Sequence, residues 1–154
     1  MIQIQVNYPK AKRKPERQLI EAAITKAVQT VLAAVTPSPE VNLTVVITDD
    51  PAIQELNHQF MGFDEPTDVL SFPSGEADPE TGETYLGDII ISFPRAEAQA
   101  AQGGHLVLAE LQLLTIHGTL HLLGYDHLDQ EQKSAMWALQ NSALKTLNNP
   151  VSVP

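Results

Sequence analysis

The sequence predicts an α+β fold, a single domain over residues 1–154 in which a four-stranded mixed sheet packs with about five helices. Three observations carry this. Four short segments show the two-residue apolar period, or the unbroken apolar run, of β-strands. Between them stand longer segments whose apolar residues recur every three or four positions. No repeat, linker or low-complexity stretch divides the chain, which is long enough to bury a core without staples.

Ile2, Ile4 and Val6 alternate within Met1 to Val6 and predict the first strand. Pro15 opens a helix at a position that needs no amide hydrogen, with Leu19, Ile20, Ala23, Ile24, Ala27, Val28, Val31, Leu32 and Val35 as its apolar face. Thr36-Pro37-Ser38-Pro39 is the expected stop. Val41, Leu43, Val45 and Ile47 predict a second strand, after which Asp50-Pro51 is expected to cap a short helix that buries Ile53, Leu56 and Phe60.

Val69, Leu70 and Phe72 predict the third strand, and Tyr85 to Ser92 the fourth, apolar throughout at Ile89-Ile90-Ile91. The Ser74 to Thr84 connection reads as a solvated loop. Its carboxylates Glu76, Asp78, Glu80 and Glu83 are spread among Gly75, Pro79 and Gly82, so they share no face on which to hold an ion.

Pro94 starts a helix that Gly103-Gly104 stops. The next, from about Leu106 to Leu123, is apolar on more than one side and so predicts a helix buried inside the domain. Asp129 and Gln132 resemble a capping box for a last helix whose face is Met136, Leu139, Ala143, Leu144 and Leu147. These two long carboxy-terminal helices are expected to pack on one side of the sheet.

The absence of cysteine excludes a disulfide framework and a thiolate metal site. No run approaches the 18 or so consecutive apolar residues of a membrane span, and the amino terminus lacks a basic-then-apolar signal, so a soluble, cytoplasmic protein is expected. The formal net charge of −10 is adverse for binding nucleic acid. Yet six of the nine basic residues (Lys10, Lys12, Arg13, Lys14, Arg17 and Lys26) fall in the first 26 positions, either as a solvated helix start or as an RNA-tracking patch.

Chemistry concentrates at the end of the apolar helix, in His117-Gly118-Thr119-Leu120-His121-Leu122-Leu123-Gly124-Tyr125-Asp126-His127. Positions i and i+4 of a helix share a face with Cβ atoms roughly 5–6 Å apart, so His117 and His121 can reach one ion. Gly124 permits the left-handed turn that brings back His127. The spacing is the His-x-x-x-His-x-x-Gly-x-x-His skeleton of one class of zinc enzymes. Three neutral imidazoles suit zinc and leave its fourth position to water, the arrangement of catalytic sites. Zinc lowers the pKa of such a water to about 7, which points to hydrolysis.

In peptidases with this skeleton a glutamate general base follows the first histidine; here it is Gly118. General-base catalysis is typically worth 10²–10⁴-fold, so its loss disfavours peptide hydrolysis. A phosphodiester depends more on relief of phosphoryl charge, which a metal provides. A peptidase or amidase of another class, and a non-catalytic protein whose zinc merely stabilises the fold, are the alternatives.

The histidine segment, Pro66-Thr67-Asp68-Val69-Leu70-Ser71-Phe72-Pro73 and Leu86-Gly87-Asp88-Ile89-Ile90-Ile91-Ser92 together resemble the YbeY family of bacterial endoribonucleases, also called ribosomal RNA maturation factors, over nearly the whole chain. The resemblance implies a zinc-peptidase-like α+β architecture and one Zn²⁺ held by His117, His121 and His127. It further implies single-strand endoribonuclease activity in 16S ribosomal RNA 3′-end maturation and ribosome quality control. The expected partners are ribosomal RNA, the small ribosomal subunit and its assembly factors, with neither DNA nor a membrane among them.

The family usually carries an arginine where Leu56-Asn57-His58-Gln59-Phe60-Met61 places Met61, which makes position 61 the substrate-facing candidate. A thioether cannot pair with phosphate as a guanidinium does, so either the nuclease is weaker or Arg95 has taken the role. Asp126 either orients a ligand imidazole or caps the turn. Asp68 is read as a structural carboxylate at a strand start. Asp88, inside an apolar strand, requires a partner such as a ligand histidine or Arg95, and Met136 is read as core.

Overall fold

Strand pairing follows the apolar faces found in the sequence. The computed structural model describes residues 1–35 and 41–151, so the expected stop at Thr36-Pro37-Ser38-Pro39 lies outside the described residues. Strands β1 (Ile2–Val6), β2 (Val41–Thr48), β3 (Val69–Ala77) and β4 (Thr84–Ser92) form one mixed sheet in the order β1-β2-β4-β3. β1, β2 and β4 run parallel and β3 is the antiparallel edge, in register Ile4↔Val45↔Ile89 and Leu70↔Ile90.

Among the described residues there are six helices: α1 (Pro9–Lys12), α2 (Glu16–Val35), α3 (Asp50–Met61), α4 (Phe93–Gly103), α5 (Val107–Leu122) and α6 (Gln130–Thr146). The expectation of about five omitted α1, a single turn. One face of the sheet, Leu43, Val45, Ile47, Ile89 and Ile91, is sealed by Ile20, Ile24 and Val28 of α2 and by Leu111 and Leu114 of α5. Each fully buried side chain of this kind contributes about 1.5–3 kcal/mol, so α5 is held rigidly. The opposite face receives α3, with Ile53 on Leu70 and Ile90.

Four expectations are corrected. Helix α6 does not join α5 on the sheet; Met136, Ala143 and Leu144 pack on Ala27, Val31, Ile116 and Leu120, in a layer behind α2 and α5. The acidic Ser74 to Thr84 loop is a hairpin whose strands run on to Ala77 and back from Thr84, with a bulge between Pro73 and Glu76. Helix α3 is capped by Asp49, which accepts from Ala52 N at 2.9 Å, and not by Asp50. Leu19 and Phe60, expected in the core, are exposed.

With 20 residues and an 18-residue window of mean hydropathy 1.2, α2 is the one helix among the described residues long and apolar enough to cross a membrane, but its Ile20, Ile24, Ala27, Val28 and Val31 are committed to this core. In α5 the buried hydroxyls of Thr115 and Thr119 donate to the carbonyls four residues back, each at 2.7 Å, so an apolar helix carries no unsatisfied polar group.

Candidate metal centre

His117 and His121 project from the last turns of α5 toward edge strand β3. The helix ends where expected. Gly124 takes φ +97°, Gly124 N donates to the His121 carbonyl at 3.0 Å and Tyr125 N to the Leu120 carbonyl at 3.0 Å, closing the terminal carbonyls and reversing the chain toward His127. One ring nitrogen from each of His117, His121 and His127 lies within 4.8 Å of the others. They line a cleft of about 490 Å³ with Met61, Asp68, Val69, Leu70, Ser71, Pro73 and Tyr125.

The hydrogen bonds on the far side of each ring decide which nitrogen faces the cleft. His117 Nδ1 lies 3.0 Å from the Gln140 side-chain oxygen, and His121 Nδ1 lies 2.9 Å from the Tyr125 carbonyl. Both partners are acceptors, so both Nδ1 atoms carry the proton and both Nε2 atoms present lone pairs. Those Nε2 atoms stand 3.1 Å apart. Two facing lone pairs repel unless a cation or a proton lies between them, and a neutral three-imidazole set fits zinc. Burial lowers the pKa of His117, and the charges of His121 and His127 lower it further, while the Gln140 bond opposes this. Burial likewise lowers His121, against Asp126 and the Tyr125 carbonyl. Lowered values favour the unprotonated imidazole that ligation requires. Trp137 walls the cluster, its ring edge-on to His117 at 5.9 Å and to His127 at 5.6 Å.

The sequence gives Asp126 two roles, orienting a ligand imidazole or capping the turn. Its Oδ1 accepts from His127 N at 2.8 Å, which is the capping role, and its charge also acts on His121. Asp68 accepts from Val69 N at 2.8 Å and from Gln99 Nε2 at 3.3 Å, the structural role expected of it, although it also borders the cleft. Met61 lies on the cleft wall. Arg95 does not line the cleft; its Nε is 3.6 Å from Asp50 Oδ1, and its amide caps onto Ser92 Oγ. Asp88 is paired with the Tyr85 hydroxyl, which also meets Thr44 Oγ1 at 2.8 Å, and with neither a ligand histidine nor Arg95.

Gly118 has a packing reason. A Cβ there would stand 2.7 Å from Ile89 Cγ2 and 3.2 Å from Ser71 Oγ, so even a methyl group makes Ile89 shift and a longer side chain such as glutamate is disfavoured further. Gln140 and the Tyr125 carbonyl, which orient two imidazoles, escape the sequence reading. One signal was present: Gln140 stands on the apolar stripe Met136, Ala143, Leu144 of α6, where a buried amide must have a specific partner.

A family model described as Endoribonuclease YbeY matches residues 5–148. Endoribonuclease YbeY of Pelotomaculum thermopropionicum is 41% identical over 134 residues, covering 85% of this chain and 88% of the relative. That of Desulfitobacterium hafniense is 48% identical over 134 residues, covering 83% of each. The solution structure of TM1509 from Thermotoga maritima superposes with a TM-score of 0.57 at 29% identity, covering 100% of this chain and 98% of that one. Fold and sequence agree over the segments that build the histidine cleft, and the chain belongs to the YbeY family of endoribonucleases.

Proposed function

We propose that this protein is a zinc-dependent, single-strand-specific endoribonuclease acting in the cytoplasm on the 3′ end of 16S ribosomal RNA and in ribosome quality control, with the small ribosomal subunit and its assembly factors as partners. The observation that carries the reading is the convergence of His117 and His121 Nε2, 3.1 Å apart, with His127 beside them in an open cleft. His117, His121 and His127 would hold the ion. When bound, zinc lowers the pKa of water to about 7 and relieves negative charge on a phosphoryl oxygen. Gln140 and the Tyr125 carbonyl hold two imidazoles in the ligating tautomer. Asp68, occupied by backbone and Gln99 donors, contributes negative charge at the cleft margin.

The experiment pairs two substrates. Zinc-loaded protein is expected to nick single-stranded RNA and leave unfolded casein intact; chelation abolishes nicking, and His121→Ala removes both the nicking and the ion by elemental analysis. Casein cleavage lost in His117→Ala would establish a peptidase instead. Undiminished metal in His121→Ala would refute the site. A second reading, an assembly factor in which zinc only stabilises the fold, is favoured by Met61, which gives the cleft wall no cation; intact RNA beside fully metallated protein would select it.

A further inference from the structure

Beside the cleft the protein exposes apolar surface that its core does not require. Phe60 is 59% exposed, Met61 42% and Phe63 61%. Scattered apolar residues are ordinary on a surface, but three large ones within four positions on a chain of net charge −10 form a patch. Anchoring α3 does not demand them, because Ile53 already fills that role against Leu70 and Ile90. Met61, which stands between the two phenylalanines in sequence, also lines the histidine cleft.

The Phe60 ring and the Phe63 backbone are also held in place. The buried Asn57 donates from Nδ2 to the Glu65 carbonyl at 2.9 Å, and Gln54 Nε2 donates to Asp64 Oδ1 at 3.1 Å. Phe63 N donates to the Asn57 carbonyl at 3.3 Å, so the backbone is tied on both sides of an exposed ring. Phe60 is braced edge-on by Phe72, ring centroids 5.4 Å apart, and keeps its other surface free for solvent. Fixed aromatic faces bind with little further loss of side-chain freedom.

We propose that Phe60 and Phe63, which bracket the cleft-lining Met61 in sequence, form a stacking platform that receives unpaired RNA bases as a strand approaches the histidine cleft and so selects single-stranded over duplex RNA. The inference rests on the nuclease reading above and adds its substrate-selecting residues. Charge identifies the part of the RNA that the patch accepts. Asp64 and Glu65 follow Phe63 directly, and the stretch from Asp50 to Val69 carries no lysine or arginine, so the local charge beside Phe63 disfavours phosphate. Bases are uncharged, and each has a π-face for an aromatic ring, independent of sequence. A strand laid with bases on the rings turns its backbone away from Asp64 and Glu65. A duplex keeps its bases stacked inside and presents phosphates, so the rings find no partner and the carboxylates repel it.

The test uses zinc-loaded wild type, Phe60→Leu, Phe63→Leu and Phe63→Trp, each checked for an unchanged thermal melt. They are mixed with a short single strand carrying 2-aminopurine, with its duplex as comparison. Fluorescence is read immediately on mixing and cleavage is followed in the same samples. Wild type is expected to quench 2-aminopurine in the single strand only. Leucine keeps apolar bulk but removes the ring, and each leucine variant should bind about tenfold more weakly, raising KM with kcat little changed. Phe63→Trp should bind at least as tightly as wild type. Leucine variants that bind and cleave like wild type would overturn the platform while leaving the nuclease reading intact. Wild type that cleaves but quenches nothing also overturns it. Wild type that neither binds nor cleaves brings down both readings.

Discussion

The Gln140 side-chain oxygen lies 3.0 Å from His117 Nδ1, joining helix α6 to the cleft-lining end of helix α5 across 23 positions of sequence. Because an amide oxygen only accepts, the contact assigns the ring proton to Nδ1 and turns the Nε2 lone pair into the cleft. Gln140→Leu should therefore weaken zinc binding about 10- to 100-fold, read by competition with a chromophoric chelator, and Gln140→Glu, which keeps an acceptor, should recover most of it. Equal zinc affinity in Gln140→Leu and wild type would show that the contact does not orient the ligand.

The lowered pKa values of His117 and His121 set a sign for the metal-free protein. In the unfolded chain both imidazoles titrate near 6.5, and in the fold, where burial disfavours the charged form, below that. Between the two values the unfolded state binds more protons, so stability rises with pH there. It is fully present above about pH 6.5 and is lost as pH falls through the folded values. The chelated protein should melt at a lower temperature at pH 5.5 than at 7.5, and a His117→Gln, His121→Gln double variant should show a smaller drop. A drop of the same size in the double variant would locate the linkage elsewhere.

Gly118→Ala tests how closely α5 lies on β4. The added Cβ would meet Ile89 Cγ2 at 2.7 Å, an atom one bond from the Ile89 Cβ and unable to swing away. Overpacking typically costs about 1–3 kcal/mol, offset by up to about 1 kcal/mol from alanine's better helix propensity. The net expectation is about 1 kcal/mol of lost stability in urea titration. Ile89→Ala made together with Gly118→Ala should cost less than the sum of the two single changes. A neutral or stabilised Gly118→Ala would refute the contact.

Met61 and Arg95 separate two origins for a substrate-binding cation. Met61 lines the cleft, whereas Arg95 is paired with Asp50. Met61→Arg should raise single-strand cleavage about tenfold, or about 1.4 kcal/mol of barrier, at constant metal content, while Arg95→Ala should leave cleavage unchanged. The measurement is kcat/KM on one RNA oligonucleotide. A flat Met61→Arg together with an impaired Arg95→Ala would reverse the assignment.

What the sequence made legible followed the range of each interaction. The strands Ile2–Val6 and Val41–Thr48, the all-round apolar α5 and the three histidines are local patterns, and each stands where its period or spacing put it. Asp49 and Asp50 are chemically equal as caps; the choice of Asp49 becomes visible only once Asp50 is seen to accept from Ser92 Oγ at 2.6 Å. Gly75, Pro79 and Gly82 read as loop, but the ladder on β4 overrides local turn chemistry as far as Ala77. Gln140 and Asp88 are satisfied by Nδ1 of His117 and by the Tyr85 hydroxyl, contacts that exist only after the chain has folded.

The β3–β4 hairpin also bears on how molecules of this protein meet one another. β3 is a border strand with one flank unclaimed by any neighbour among the described residues, and such a flank is a template on which further chains can polymerise. Pro73 contributes no amide hydrogen to it, and the bulge between Pro73 and Glu76 breaks its regularity. Glu76, Asp78, Glu80 and Glu83 gather negative charge along the tip, so two such hairpins approaching flank to flank repel before they can pair. Like charges gathered at an open sheet edge oppose the strand-to-strand growth that leads to a fibre, so this hairpin carries its own protection against self-association.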